Sequence, residues 1–166
     1  VCAFELYPDQ EHLDLEGRYE AATGLRDERV LGDAIAAADA TGAARVAILG
    51  FCMGGMYVLK TVSTGRFDRH CPFYGMIRVP ERWKGPEQAE PLDILRKGDA
   101  SSVLAVIGCD DPYTPPGDVD DLEATGATVV RYEGADHGFA HDPSRPSHRA
   151  ADAADAWKRV LEWLGS

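Results

Sequence analysis

The sequence predicts one α/β domain: a mostly parallel sheet with flanking helices. Three observations carry this. Short apolar runs alternate with longer helical patterns, the rhythm of parallel strands joined by crossover helices. The runs are short and mostly apolar, as strands covered on both faces should be. The chain has 166 residues, of which 45% are hydrophobic, enough for one core and too few for two compact domains.

Taken in order, the first expected strand is Val1–Leu6, where the chain opens without an initiator methionine, so a processed or truncated product is expected. Asp9–Gly24 is a polar connection without a period. Over Arg26–Ala40, Leu31, Ala34, Ile35 and Ala38 share one face at helical spacing, with acids near the start and Gly42 just past the end. Strand Val46–Leu49 and helix Gly54–Thr64 follow, joined by "GFCMG". Next come strand Cys71–Tyr74, a second polar connection over Val79–Pro91, and a short helix at Leu92–Lys97. Strand Val103–Ile107, helix Val119–Ala124 and strand Thr128–Tyr132 complete the alternation. From Ser147 onward, Ala150, Ala153, Ala154, Trp157, Val160, Leu161 and Leu164 form an apolar stripe, with charges mostly on the other face. Trp157 and Trp163 are therefore read as packing residues.

Composition excludes several partners. Seventeen Lys and Arg against twenty-eight Asp and Glu give a net charge of −11, which disfavours nucleic acid and anionic membrane surfaces. No apolar run reaches the roughly 18 residues that span a bilayer, and "VCAFELYPDQ" lacks the basic region of a signal peptide. Cys2, Cys52, Cys71 and Cys109 are widely spaced, with no C-x-x-C pair of a zinc site, so reduced thiols in a cytoplasm are expected. All but Cys52 are expected to act as small buried hydrophobes.

Cys52 stands apart because of its neighbours. A strand that runs into a helix through "GFCMG" must turn sharply, and a strained central residue crowds the positions two before and two after it, Gly50 and Gly54. Its side chain then projects alone. This is the nucleophile elbow G-x-S-x-G with cysteine for serine. The helix N-terminus behind Cys52 favours thiolate, and the Met53 N–H is expected to stabilise an oxyanion. Neither a G-x-G-x-x-G fingerprint nor a G-K-[ST] phosphate loop is present in this segment.

A nucleophile needs a base and an orienting acid, from loops after later strands. "GCDDPYTP" (108–115) offers Asp110 or Asp111, and "GADHGFAHD" (134–142) offers His137 or His141. His137 is preferred, because Gly138 and Phe139 suggest a tight, packed loop; Asp136 is expected on the surface. These groups would meet at the carboxyl edge of the sheet. Phe51, Tyr74, Tyr113 and Phe139 are expected to shape the substrate pocket.

The segments "GFCMGG", "GCDDPYTP", "YEGADHGFAHD" and "VCAFELYP" resemble the dienelactone hydrolase family, the cysteine-dependent branch of the α/β-hydrolase fold, along nearly the whole chain. The resemblance implies a three-layer α/β-hydrolase-like sandwich over 1–166, lacking N-terminal strands. It implies Cys52 as nucleophile, His137 as general base, Asp111 before Pro112 as the acid, and the Met53 amide as one oxyanion donor. The substrate would be a small lactone or ester, the intermediate an acyl-thioester, and neither metal nor organic cofactor is called for. Asp9 and His141 stand where the family carries arginines thought to hold the substrate carboxylate, so a neutral ester, lactone or thioester fits as well. The alternatives are a non-catalytic or fragmentary α/β domain that keeps the elbow structurally, and a redox-responsive thiol protein.

Overall fold

The computed structural model describes residues 1–165. Six α-helices and four strands, with short 3-10 turns between them, alternate over most of the chain: α1 (Leu15–Ala21), α2 (Asp27–Ala40), β1 (Ala47–Phe51), α3 (Met53–Thr61), β2 (Arg69–Phe73), α4 (Pro91–Leu95), β3 (Leu104–Gly108), α5 (Pro116–Glu123), β4 (Thr128–Tyr132) and α6 (Ala150–Gly165). The sheet is wholly parallel, in the order β1-β2-β3-β4. Ser166, included in the expected domain, lies outside the described residues.

Alternation along β3 makes the layers. Leu104 and Val106 pack with Cys71 and Phe73 of β2 against Ala153, Ala156 and Val160 of α6. Ala105 and Ile107 point the other way, into a cluster with Leu59 of α3, Leu92 and Leu95 of α4, and Val119 and Leu122 of α5. Burying both faces is what the continuous apolar character of these strands encodes. Trp157 and Trp163 pack on the α6 side, as expected, but Ala150, Ala154 and Leu161, counted in the stripe, are exposed. The helix fully buries Ala153 and Val160 of that stripe, together with Ala156.

Two expectations about the N-terminal region are corrected. Val1–Leu6 is not a strand, for it has no sheet neighbour: β1 is the edge of the sheet. A cavity of about 680 Å³ lies alongside, lined by Ala3, Phe4 and Leu6, by Ile48 and Leu49 of β1, and by Ala34 of α2. Arg29 pins the segment by donating to the Leu6 carbonyl (2.5 Å). The connection Asp9–Gly24 contains α1, capped by the Asp14 carboxylate on the Gly17 N–H (2.9 Å); α1 buries no residue fully, so it carries no apolar stripe to read.

Of the three cysteines expected to be buried, only Cys71 is, and burial pushes its thiol up to about 12. Cys2 is exposed, and Cys109 is half-buried, its thiol donating to Glu133 (3.3 Å).

Candidate active site

The elbow forms because β1 ends at Phe51 and α3 starts at Met53, leaving one residue to reverse the chain. Cys52 takes φ 54° and ψ −120°, an unfavourable conformation for a side chain with a Cβ. It is held there by its N–H donating to Phe73 O (3.0 Å) and by its carbonyl accepting from Met56 N (3.0 Å). Gly50 is obligatory: a methyl group there would lie 2.6 Å from the carbonyl carbon and oxygen of Gly54. Gly54 itself is open, with nothing within 4 Å of an added Cβ, which corrects the expectation that both flanking glycines are sterically required. The second tight contact falls one residue on, where Gly55 meets Gly75 and an added Cβ would come within 2.8 Å of the Gly75 Cα. Gly50→Ala is therefore expected to cost about 2–3 kcal/mol in urea unfolding, whereas Gly54→Ala, with room and a helical position, should be neutral or stabilising.

Loops after β3 and β4 bring the acid and the histidine together. Of the two adjacent aspartates, Asp110 is exposed and Asp111 is buried. Asp111 Oδ2 accepts from His137 Nδ1 (2.8 Å), and Oδ1 accepts from the Tyr113 N–H (2.8 Å), so both oxygens are fixed. His137 sits in the packed loop foreseen for it, with Gly138 at φ +78° and Phe139 fully buried. Burial works against its charge, but hydrogen bonds to Asp111 and then to Cys52 outweigh it and raise its pKa to about 9. Cys52, His137 and Asp111 are thus brought to one place. His141 is exposed and its Nδ1 is hydrogen-bonded to the Tyr74 hydroxyl, away from both aspartates, and Asp136 is exposed.

The expected pocket residues divide. Phe51 and Tyr113 are half-buried, whereas Tyr74 and Phe139 are wholly buried, and of the four only Tyr113 lines the depression that reaches His137. An open depression of about 660 Å³ reaches His137, lined among others by Tyr19, Tyr113, Asp136 and Arg145. The larger cavity beside β1 touches neither His137 nor Asp111. Tyr19 on α1 stacks on Trp83 (5.2 Å), which stacks on Tyr113 (6.1 Å), and the Arg82 guanidinium lies over Tyr19 and Trp83 at 4.9 and 5.0 Å. Tyr19, Trp83 and Arg145 had no signal in the sequence, because they sit in segments without a period. Met53 is the first residue of α3, so its N–H has no acceptor within the helix. Its sulfur accepts from the Tyr7 hydroxyl (3.1 Å). Among the described residues no group of three or more His, Cys, Asp or Glu converges as a metal site requires. None of the helices described is long and apolar enough to cross a membrane.

Two histidines with opposite shifts set a pH signature. His70 is buried with Nδ1 on Ser102 Oγ (2.9 Å), and burial lowers its pKa to about 4. Its contribution to stability is complete above 6.5 and lost as pH falls toward 4, about 3 kcal/mol in all. That of His137 is complete below 6.5 and lost as pH rises through 9. Thermal unfolding followed by circular dichroism should peak near neutrality, with His70→Asn flattening the acid limb and His137→Gln the alkaline one.

A wholly parallel sheet with a cysteine elbow at the carboxyl edge, facing a histidine and an aspartate from later loops, defines a protein of the α/β-hydrolase class. The family model of the dienelactone hydrolase family matches residues 6–166. A Synechocystis sp. protein named "Putative carboxymethylenebutenolidase" is 33% identical over 123 residues, 70% of this chain and 48% of that protein. "Carboxymethylenebutenolidase" of Rhodococcus opacus is 31% identical over 124 residues, 70% of this chain and 48% of that protein. The structure of a Klebsiella pneumoniae protein titled "Putative Dienelactone Hydrolase" superposes with TM-score 0.78 and 26% identity, covering 96% of this chain and 70% of that one. This chain belongs to the dienelactone hydrolase family, and spans about half the length of these two curated relatives.

Proposed function

We propose that this chain carries the catalytic half of a thiol hydrolase that cleaves a small lactone or ester through Cys52, His137 and Asp111. The observation that carries the reading is the 2.8 Å bond from His137 Nδ1 to the buried Asp111 carboxylate, which leaves the other side of the imidazole for Cys52. Asp111 selects the tautomer and supports the imidazolium. Cys52 gives its proton to His137, and the sulfur attacks the carbonyl carbon. The carbonyl π electrons move to oxygen, where the free Met53 N–H is the donor available. Collapse of this intermediate breaks the C–O bond, and the leaving oxygen takes the proton from His137. What remains is a thioester on Cys52. His137 then draws a proton from water and the hydroxide adds to the thioester; collapse breaks the C–S bond, releasing the carboxylic acid and leaving the thiolate on Cys52, to which His137 returns the proton. The names of the relatives make a lactone or unsaturated ester the natural substrate class.

The direct test is to trap the intermediate. Acid quenching during turnover of p-nitrophenyl acetate should leave an acetyl group on the peptide containing Cys52, removable by hydroxylamine and absent in Cys52→Ala. Nitrophenol release that is equal in Cys52→Ala would sink the proposal. The open edge of β1 favours a second reading, an elbow retained structurally, which predicts no release at all.

A further inference from the structure

The His137 imidazole packs against two tyrosine rings. Tyr113 is on one neighbouring loop, with ring centroids 4.9 Å apart at 61°, and Tyr74 follows β2, with centroids 5.2 Å apart at 64°. Each tyrosine is itself tied down at its hydroxyl. Arg82 donates to the Tyr113 hydroxyl (3.0 Å), and Tyr113 is also stacked against Trp83 and donates its N–H to Asp111. The Tyr74 hydroxyl is bonded to His141 Nδ1, and its ring packs edge-on against Phe139 (5.8 Å, 62°). Tyr74 also has a left-handed backbone, φ +38°, in a wholly buried residue whose N–H donates to Val106 O (2.7 Å). Such a conformation in a bulky residue costs about 1–3 kcal/mol and persists only where the surroundings over-determine it. The strain lies beside the catalytic ring.

We infer that Tyr74 and Tyr113 are positioning residues, a bracket of two anchored rings that keeps the His137 imidazole in the plane joining Asp111 to Cys52. A ring anchored firmly through Nδ1 can still swing about that bond, and swinging takes its far nitrogen away from sulfur. Rings packed within about 5 Å remove that freedom. Wholly buried, Tyr74 has no surface to offer a substrate, so its role near the reacting atoms is to act through His137. The inference rests on the triad proposed above.

The test is the pH dependence of Cys52 alkylation by iodoacetamide, read on the Cys52 peptide by mass spectrometry and so independent of substrate, together with ester kinetics. Tyr113→Leu and Tyr74→Leu should shift the alkylation profile toward that of His137→Gln and lower kcat about tenfold with KM unchanged. The corresponding Phe variants, which keep the rings and their packing on Trp83 and Phe139 but lose the hydroxyl anchors, should recover most of the wild-type profile and of kcat. If Tyr74→Leu does not fold, Tyr113→Leu at its half-buried position decides. Leu variants with the wild-type profile and kcat, or with KM alone changed, overturn the bracket. A wild-type profile unaltered by His137→Gln overturns the triad and the bracket with it.

Discussion

Asp111→Asn is expected to lower kcat/KM for an activated ester about 10⁴-fold, with Asp110→Asn close to wild type. The difference follows from the turn after β3. Asp111 points inward, with Oδ2 on His137 and Oδ1 on the Tyr113 N–H, while Asp110 is exposed. An amide at 111 can keep the bond to Tyr113 through its oxygen. It then offers its NH₂ to His137, so the ring turns its lone pair toward residue 111 and presents an N–H to sulfur. A base in that tautomer cannot accept the Cys52 proton. The loss should fall on kcat, and the variant's pH–rate profile should lose the limb set by His137. Equal losses at 110 and 111 would show that the surface charge matters and the inward bond does not.

Spacing and turn chemistry did not choose between these two aspartates; only the family resemblance pointed to Asp111. Adjacent Asp residues before proline both read as turn formers, and only the path of the turn sends one side chain in and the other out. The elbow was legible, because Gly-x-Cys-x-Gly between an apolar strand and a helix admits few other geometries. Even there the strict contacts are Gly50 and Gly55, while Gly54 is open. Four of five expected strands exist, since Val, Ile and Leu runs bounded by turns encode burial on both faces. Val1–Leu6, apolar except for Glu5, has no sheet partner, and a strand needs a neighbour that its own residues cannot specify. Helix α1 escaped for the converse reason: it buries nothing fully and so leaves no periodic trace. The tyrosines around His137 come from separate loops, and no spacing in the sequence links Tyr74, Tyr113 and residue 137.

The helix that aims Cys52 depends on a charge pair whose two members lie 33 residues apart. Lys60 is fully buried on α3, its Nζ 2.7 Å from Asp27 Oδ1 at the start of α2 and 4.9 Å from the centre of the Tyr57 ring. Burial lowers the Lys60 pKa, and the Asp27 carboxylate opposes that shift. The second Asp27 oxygen accepts from the Ala89 N–H (2.8 Å), so one carboxylate joins α2, α3 and the loop before α4. Asp27→Ala leaves a cation without a counter-charge and an amide without an acceptor, and should cost about 3–5 kcal/mol in urea unfolding. Asp27→Asn with Lys60→Met removes both charges, keeps an acceptor for Ala89 and fills the space of the lysine stem. It should lie within about 1 kcal/mol of wild type, because a buried pair returns little beyond its desolvation cost. If the double variant were as unstable as Asp27→Ala, attraction between the charges would be holding α3 in place. If instead only Asp27→Ala is unstable and Cys52 alkylation is unchanged in the double variant, the pair sets α3 behind the elbow through filled volume and satisfied donors, which a neutral pair supplies equally well.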